Sequence, residues 1–314
     1  MNPLEAILQG KPFAVLDGAF ATELERLGFS IDDPLWSAKA IYERPDLVGA
    51  VHRMYLEAGA DIVESAGYQA SVPGFMKKGF SRKEAEELLA RSVRIVKAAC
   101  ADFQKSRGRK ALAAASIGPY GACLADGSEY RGDYKAGEEE LYEFHRERLS
   151  VLAREAPDLY AFETFPLLKE AKAACRALAG LDGASGWVSF SCRDGETTCG
   201  GDDIGECAAF LDKVPQIAAI GVNCIAPRYA PSLIRRIRAH TDKPCVVYPN
   251  SGEVYDPGEE AWHGQAEEAR HLARICYEAG ARIIGGCCRT TPETIREIAA
   301  FRAGLSGERA DRKT

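Results

Sequence analysis

The chain reads as an α/β protein of the TIM-type (β/α)8 barrel class, built as one domain from 314 residues. Three observations carry that reading. Eight short apolar, β-rich runs recur from end to end, helical patterns separate them, and no linker or shift in composition divides the chain. A doubly wound sheet is the competing architecture, but the glycine-rich signatures G-x-G-x-x-G and G-x-x-x-x-G-K-[ST] are both absent.

The elements follow in order. Phe13–Asp17 is an apolar run closed by an acid, and Leu47, Val51, Met54, Tyr55 and Ala58 then form a helical stripe ended by Gly59. Asp61–Ala66 is the second run. Ser81 and Glu84 make a capping box, after which Leu88, Leu89, Val93, Val96 and Ala99 keep close to a 3.6 period. The remaining runs are Ala111–Ile117, Leu159–Phe165, Trp187–Ser191, Ala218–Cys224, Cys245–Pro249 and Arg282–Cys287. Most are continuously apolar, as strands covered on both faces are. Thr291, Pro292 and Glu293 then supply an N-cap, a first helical residue and a first-turn acid, with Ile295 and Ile298 continuing the stripe. The barrel is expected over residues 1–304, with 305–314 as a frayed polar tail.

Composition narrows the function. Forty basic and 46 acidic side chains leave a net charge of −6, with no basic block, so a nucleic-acid partner is not expected. The N-terminus lacks a basic region followed by an apolar core, and no apolar run approaches the roughly 18 residues needed to cross a bilayer. Neither a secretory leader nor a membrane partner is expected. Eleven cysteines cannot all pair, and they are scattered along the chain. They are expected to be reduced, in the cytoplasm, where clustered thiols bind metal or do chemistry more often than they form disulfides.

In such a barrel the chemistry sits at the C-terminal strand ends. Cys224 closes the sixth run and the vicinal pair Cys287-Cys288 closes the eighth. The seventh strand alone separates them, so three thiolates converge. They can hold Zn²⁺ with one position open, the arrangement of a catalytic site. For both vicinal cysteines to face one ion the chain must bend, a freedom expected of Gly285-Gly286. The bland alternative is that all three are small buried hydrophobes. Cys100, Cys175 and Cys276 sit on helical stripes and read as core, while Cys192, Cys199, Cys207 and Cys245 lack a C-x-x-C partner. The five histidines show no metal-binding spacing. Two carboxylates also stand out. Asp17 ends an apolar strand and Glu163 lies within the apolar run Tyr160–Phe165, positions where an unpaired charge is costly. They read either as structural partners for backbone N–H groups or as captors of a cationic substrate group.

Over nearly its whole length the chain resembles the zinc-dependent homocysteine S-methyltransferases. The stretches that carry the resemblance are Asp17–Leu24, Tyr68–Ser71, Glu163–Phe165, Gly221–Cys224 and Gly285–Pro292. Tyr248–Glu253 looks like the branch that uses S-methylmethionine. The resemblance implies one Zn²⁺ per chain on Cys224, Cys287 and Cys288, which would also be the catalytic set. It implies Asp17 and Glu163 near the homocysteine ammonium, and donors around Ser251 for its carboxylate. Asn250 is implied as a ligand or neighbour of the ion, and Tyr68 and Gln69 as further substrate-binding residues. The expected reaction is attack of the homocysteine thiolate on the methyl group of a sulfonium donor, giving methionine. S-Methylmethionine is the expected donor; S-adenosylmethionine, betaine and a methyl-corrinoid are the alternatives, the last requiring modules for which one barrel leaves no room. A selenol or another thiol as acceptor is a further alternative. A non-catalytic zinc-stabilised barrel and a dithiol redox protein are rival classes. One departure is notable. Where family members often carry a Thr-Asn-Thr-like run before Tyr-Gln, this chain has Glu64-Ser65-Ala66-Gly67, a change expected on the donor side of the pocket.

Overall fold

A computed structural model describes residues 2–256 and 261–311. Eight parallel strands form one sheet: β1 (Ala14–Val15), β2 (Ile62–Glu64), β3 (Leu112–Ile117), β4 (Leu159–Phe165), β5 (Gly186–Phe190), β6 (Ile217–Asn223), β7 (Cys245–Tyr248) and, after an antiparallel hairpin of β8 (Val254–Asp256) and β9 (Ala261–His263), β10 (Ala281–Ile284). The order β1-β10-β7-β6-β5-β4-β3-β2 curls until a parallel bridge from Leu16 to Ile62 closes a (β/α)8 barrel. All eight expected strands are present, and the hairpin is an insertion that no periodicity announced. Several strands end early for local reasons. Pro249 has no N–H to extend β7, and Cys224 leaves β6 with φ near 51°.

The helices start and stop where their caps dictate. Ser81 Oγ accepts the Glu84 N–H while Glu84 accepts the Ser81 N–H at 2.8 Å, opening the helix Arg82–Arg107. Gly59, at φ 118°, ends the helix Pro45–Ala58. The last helix, Pro292–Asp311, runs past Leu305, where a frayed tail was expected. Residues 312–314 lie outside the described residues.

Two apolar layers result. Strand side chains facing outward pack against the helices, and inward ones, among them Leu16, Ile62, Leu112, Trp187 and Ile283, fill the barrel. A short N-terminal helix, Pro3–Leu8, capped by Asn2, adds Leu4 and Ile7 beneath this interior core. The barrel is thus closed below and open only at the mouth.

The β1–β2 seam at that lower face is held by Asp61. Its carboxylate accepts the Val15 N–H at 2.9 Å and meets Lys11 at 2.8 Å, Arg109 at 3.3 Å and Arg302, while its own N–H donates to the Val15 carbonyl. Removing one member of such a buried network leaves charges unpaired. Asp61→Ala is therefore expected to lower unfolding free energy by about 3 kcal/mol, measured by urea denaturation, while activity per folded molecule is unchanged.

Candidate metal centre and active site

Cys224, Cys287 and Cys288 come together at the barrel mouth, their sulfurs all within 4.8 Å of one another. Cys224 Sγ and Cys288 Sγ are 3.5 Å apart, close to the spacing of thiolates around a tetrahedral zinc with bonds of about 2.3 Å. All eleven cysteines are free thiols, and Cys100, Cys175, Cys192, Cys207, Cys245 and Cys276 are buried in the core.

Main-chain atoms of β7 and its following loop set the position of all three. The Cys224 N–H donates to the Tyr248 carbonyl at 3.1 Å, Cys287 N–H to the Pro249 carbonyl at 2.8 Å, and Ser251 N–H to the Cys288 carbonyl at 3.0 Å. The glycines before the pair act differently from expectation. Neither takes a positive φ; instead a Cβ on Gly285 would sit 2.7 Å from the Asp17 carbonyl oxygen, and one on Gly286 would sit 2.4 Å from Thr290 Oγ1. What the site needs there is room for close backbone approach. β10 has already ended at Ile284, so strand alternation no longer governs where the cysteines point.

A second clamp joins the metal-ligand candidate to the carboxylate. Asn223 is fully buried. Its Oδ1 accepts the Thr164 N–H at 2.7 Å and the Ser189 hydroxyl at 2.8 Å, and its Nδ2 donates to Thr164 Oγ1 at 2.7 Å. Thr164 and Cys224 are both held in the left-handed region, at φ 63° and 51°, a conformation that costs a β-branched residue most.

An inner cavity of about 100 Å³ lies beside the thiols, with Asp17, Glu64 and Glu163 in its wall. A wider funnel of about 970 Å³ opens above, sharing Trp36, Tyr68, Tyr130, Cys224 and Cys288 with it. Asp17 Oδ2 accepts the Glu64 N–H at 2.9 Å, whereas Asp17 Oδ1 and Glu64 Oε1 are buried without a hydrogen-bond partner. Glu163 accepts the Ser116 hydroxyl. Burial pushes all three carboxyl groups up, and their mutual repulsion raises Asp17 and Glu64 further; Glu163 reaches about 7, with Ser116 and Arg148 opposing. Cys224 is pulled well below the usual thiol range by hydrogen bonds from Cys287 and Cys288, with Tyr130 and Asn250 assisting. The same bonds push Cys287 and Cys288 well above it.

The other candidates are placed as follows. Asn250 lines the funnel with an unpartnered buried Oδ1. Tyr68 lines both cavities, and its hydroxyl is likewise unpartnered. Gln69 donates to the Pro34 carbonyl at 3.1 Å, tying the segment that carries Trp36. Ser251 is turned inward: its N–H goes to Cys288 and its hydroxyl to Glu253 at 2.9 Å. Three contributors were missed. Tyr130, whose hydroxyl is 3.4 Å from Cys224 Sγ, closes a single 3-10 turn, Ser128–Tyr130, too short to show periodicity, and Asn223 shows no sign of its role in a run of strand residues. Glu64, an acid in an apolar run, carried the signal that singled out Glu163, and it stands with Asp17 and Glu163 rather than among the aromatic residues of the funnel.

Residues 14–301 match the family model described as Homocysteine S-methyltransferase. This chain belongs to that family. It is 48% identical to homocysteine S-methyltransferase YbgG of Bacillus subtilis over 312 residues, covering 97% of this chain and 99% of the relative. The crystal structure of the homocysteine methyltransferase MmuM from Escherichia coli in its oxidized form superposes with a TM-score of 0.87 at 39% identity, covering 96% of this chain and 99% of that one. Its metallated form gives the same TM-score at 38% identity, over 95% and 99%. A family relative thus takes up metal, and the three-cysteine cluster here is able to hold one. Among the described residues, no helix is long and apolar enough to cross a membrane.

Two outcomes follow from this geometry. Glu163 favours its protonated form in the folded protein, so its contribution to stability is present below its ordinary value of 4.5 and is lost as pH rises through about 7. Glu163 alone is expected to account for a loss of about 3 kcal/mol over that interval in ligand-free protein, read by urea titration as the difference in slope between the parent and Glu163→Gln. Asn223→Ala would strand the Thr164 and Ser189 donors and is expected to cost about 3 kcal/mol in the same assay.

Proposed function

We propose that this chain is a zinc enzyme that methylates homocysteine from a sulfonium donor, S-methylmethionine being the preferred one, to form methionine. The observation that carries the reading is the convergence of three thiols at the junction between a carboxylate-walled inner cavity and an aromatic-walled funnel. Cys224, Cys287 and Cys288 would hold one Zn²⁺ per chain, and the ion, when bound, keeps a substrate thiol deprotonated at neutral pH.

The protein side chains do the rest. Asp17 and Glu163 take the substrate ammonium, offsetting the penalty of two buried carboxylates that face each other without it. Asn250 and Tyr68 border the thiols and offer their unpartnered polar atoms to substrate, and Gln69 positions the aromatic wall. With its N–H and hydroxyl engaged, Ser251 contributes by holding Cys288 and Glu253. Trp36, Tyr68 and Tyr130 present ring faces and edges to the funnel, an environment that favours a sulfonium cation over a neutral thioether. The homocysteine sulfur forms the new bond to the methyl carbon as the bond from that carbon to the donor sulfonium breaks, with both electrons staying on the departing sulfur. Thiolate and sulfonium become two neutral thioethers, so a dry site favours the charge-cancelling transition state over the separated ions. The chemistry needs no second module; the barrel of residues 1–304 carries it. Free thiols throughout suit a reducing, cytoplasmic setting.

Cys224→Ala tests the reading. Bound zinc, read by atomic absorption, is expected to fall to a small fraction of one per chain, and methionine formation by roughly 100-fold or more. Full activity in zinc-free protein would overturn it. A panel of S-methylmethionine, S-adenosylmethionine and betaine with homocysteine ranks the donors, and S-methylmethionine is expected to give the highest kcat/KM.

A further inference from the structure

The inner cavity holds one acid more than an ammonium site of two carboxylates requires. Glu64 ends β2, two residues after the inward-facing Ile62, so its side chain enters the barrel and lines the cavity with Asp17 and Glu163. Among the described residues, the cavity wall contains no lysine, arginine or histidine. Asp17 is only 5% exposed, and its Oδ1 lacks a partner, as does the buried Oε1 of Glu64. Such a cluster destabilises the free protein through desolvation and repulsion unless a cation joins it.

The kind of cation follows from spacing and chemistry. Cys224, Cys287 and Cys288 are the one trio of potential ligands among the described residues whose donor atoms all fall within 4.8 Å of one another; the three carboxylates do not form such a group. They are too dispersed for the first shell of a small metal ion with oxygen bonds of about 2.0–2.6 Å. An ammonium group is larger and offers three N–H donors, one for each carboxylate.

We infer that Glu64 is a third substrate-binding carboxylate, completing a three-sided cradle for the α-ammonium of homocysteine and setting the preference of the site for amino-acid thiols. The inference rests on the proposed placement of that ammonium against Asp17 and Glu163, and it adds a third acid to that pair. The Glu64 backbone N–H donates to Asp17 Oδ2 at 2.9 Å, which ties the Asp17 carboxylate to the main chain that carries Glu64 and leaves Asp17 Oδ1 and Glu64 Oε1 for the ligand.

Glu64→Gln preserves size and removes the charge. Steady-state kinetics would compare homocysteine with its deamino analogue, a mercaptobutanoate with the same thiol and carboxylate. A charge-assisted hydrogen bond is worth roughly tenfold or more in affinity. The variant is therefore expected to raise KM for homocysteine about tenfold while kcat, the KM for the sulfonium donor and turnover of the deamino analogue stay within about twofold. Its melting temperature without substrate is expected to match or exceed that of the parent, because an acid whose ionised form is disfavoured by burial and by its neighbours is gone; a merely structural glutamate would lower it and leave the preference intact. Asp17→Asn, measured in parallel, separates the two levels of the argument. Loss of preference in Asp17→Asn but not in Glu64→Gln overturns the role of Glu64 and leaves the ammonium site standing. No loss in either variant overturns both. An effect of Glu64→Gln confined to the donor KM also overturns the assignment.

Discussion

The Asn223 amide is the interaction on which the site depends. With one side chain it bonds the ends of β4 and β5, and it adjoins two residues whose backbones sit in the left-handed region. Thr164 follows Glu163, and Cys224 follows Asn223 itself, so a carboxylate of the inner cavity and a thiol of the metal centre are set by the same amide. An unclamped β-branched residue would relax out of that conformation at a gain of about 1–3 kcal/mol, carrying Glu163 with it. The clamp converts that strain into a fixed distance between groups from different strands.

The same logic explains why the centre of the barrel mouth is expensive. Three carboxyl groups and three thiols line one small cavity, with Arg148 held behind the wall by the Gly67, Tyr68 and Gly118 carbonyls. Stability is concentrated at the opposite face, where Asp61 gathers three cations and the N-terminal helix closes the core. The lower end of the barrel holds together what the upper end strains.

Much of this was readable in the residues. Buried parallel strands are continuously apolar, so all eight showed, and their C-terminal ends located the thiols, Asp17 and Glu163. The explicit caps at Ser81, Gly59 and Thr291 marked helix boundaries. What stayed hidden has physical causes. The β8–β9 hairpin and the short 3-10 turn bearing Tyr130 carry no periodic pattern in the sequence. Gly285 and Gly286 signalled a special backbone, but whether a glycine is there for its torsion or for its missing Cβ is decided by neighbours distant in sequence, here Asp17, and by Thr290 in the next turn. Ser251 sits beside the centre, yet its hydroxyl is engaged within its own loop by Glu253 and its N–H by the Cys288 carbonyl, and composition says nothing about where a hydroxyl points.

The brace supplied by β7 and its loop has a different kind of consequence. It consists of carbonyl and N–H groups, so what it encodes lies in residue count rather than residue identity. Side-chain replacement at these positions passes through it nearly unheard. A single-residue deletion would move every main-chain partner by about 3.3 Å and reverse its direction, pulling Cys224 and the vicinal pair out of step together. Across related chains, length in this segment should therefore be under tighter restraint than its alphabet.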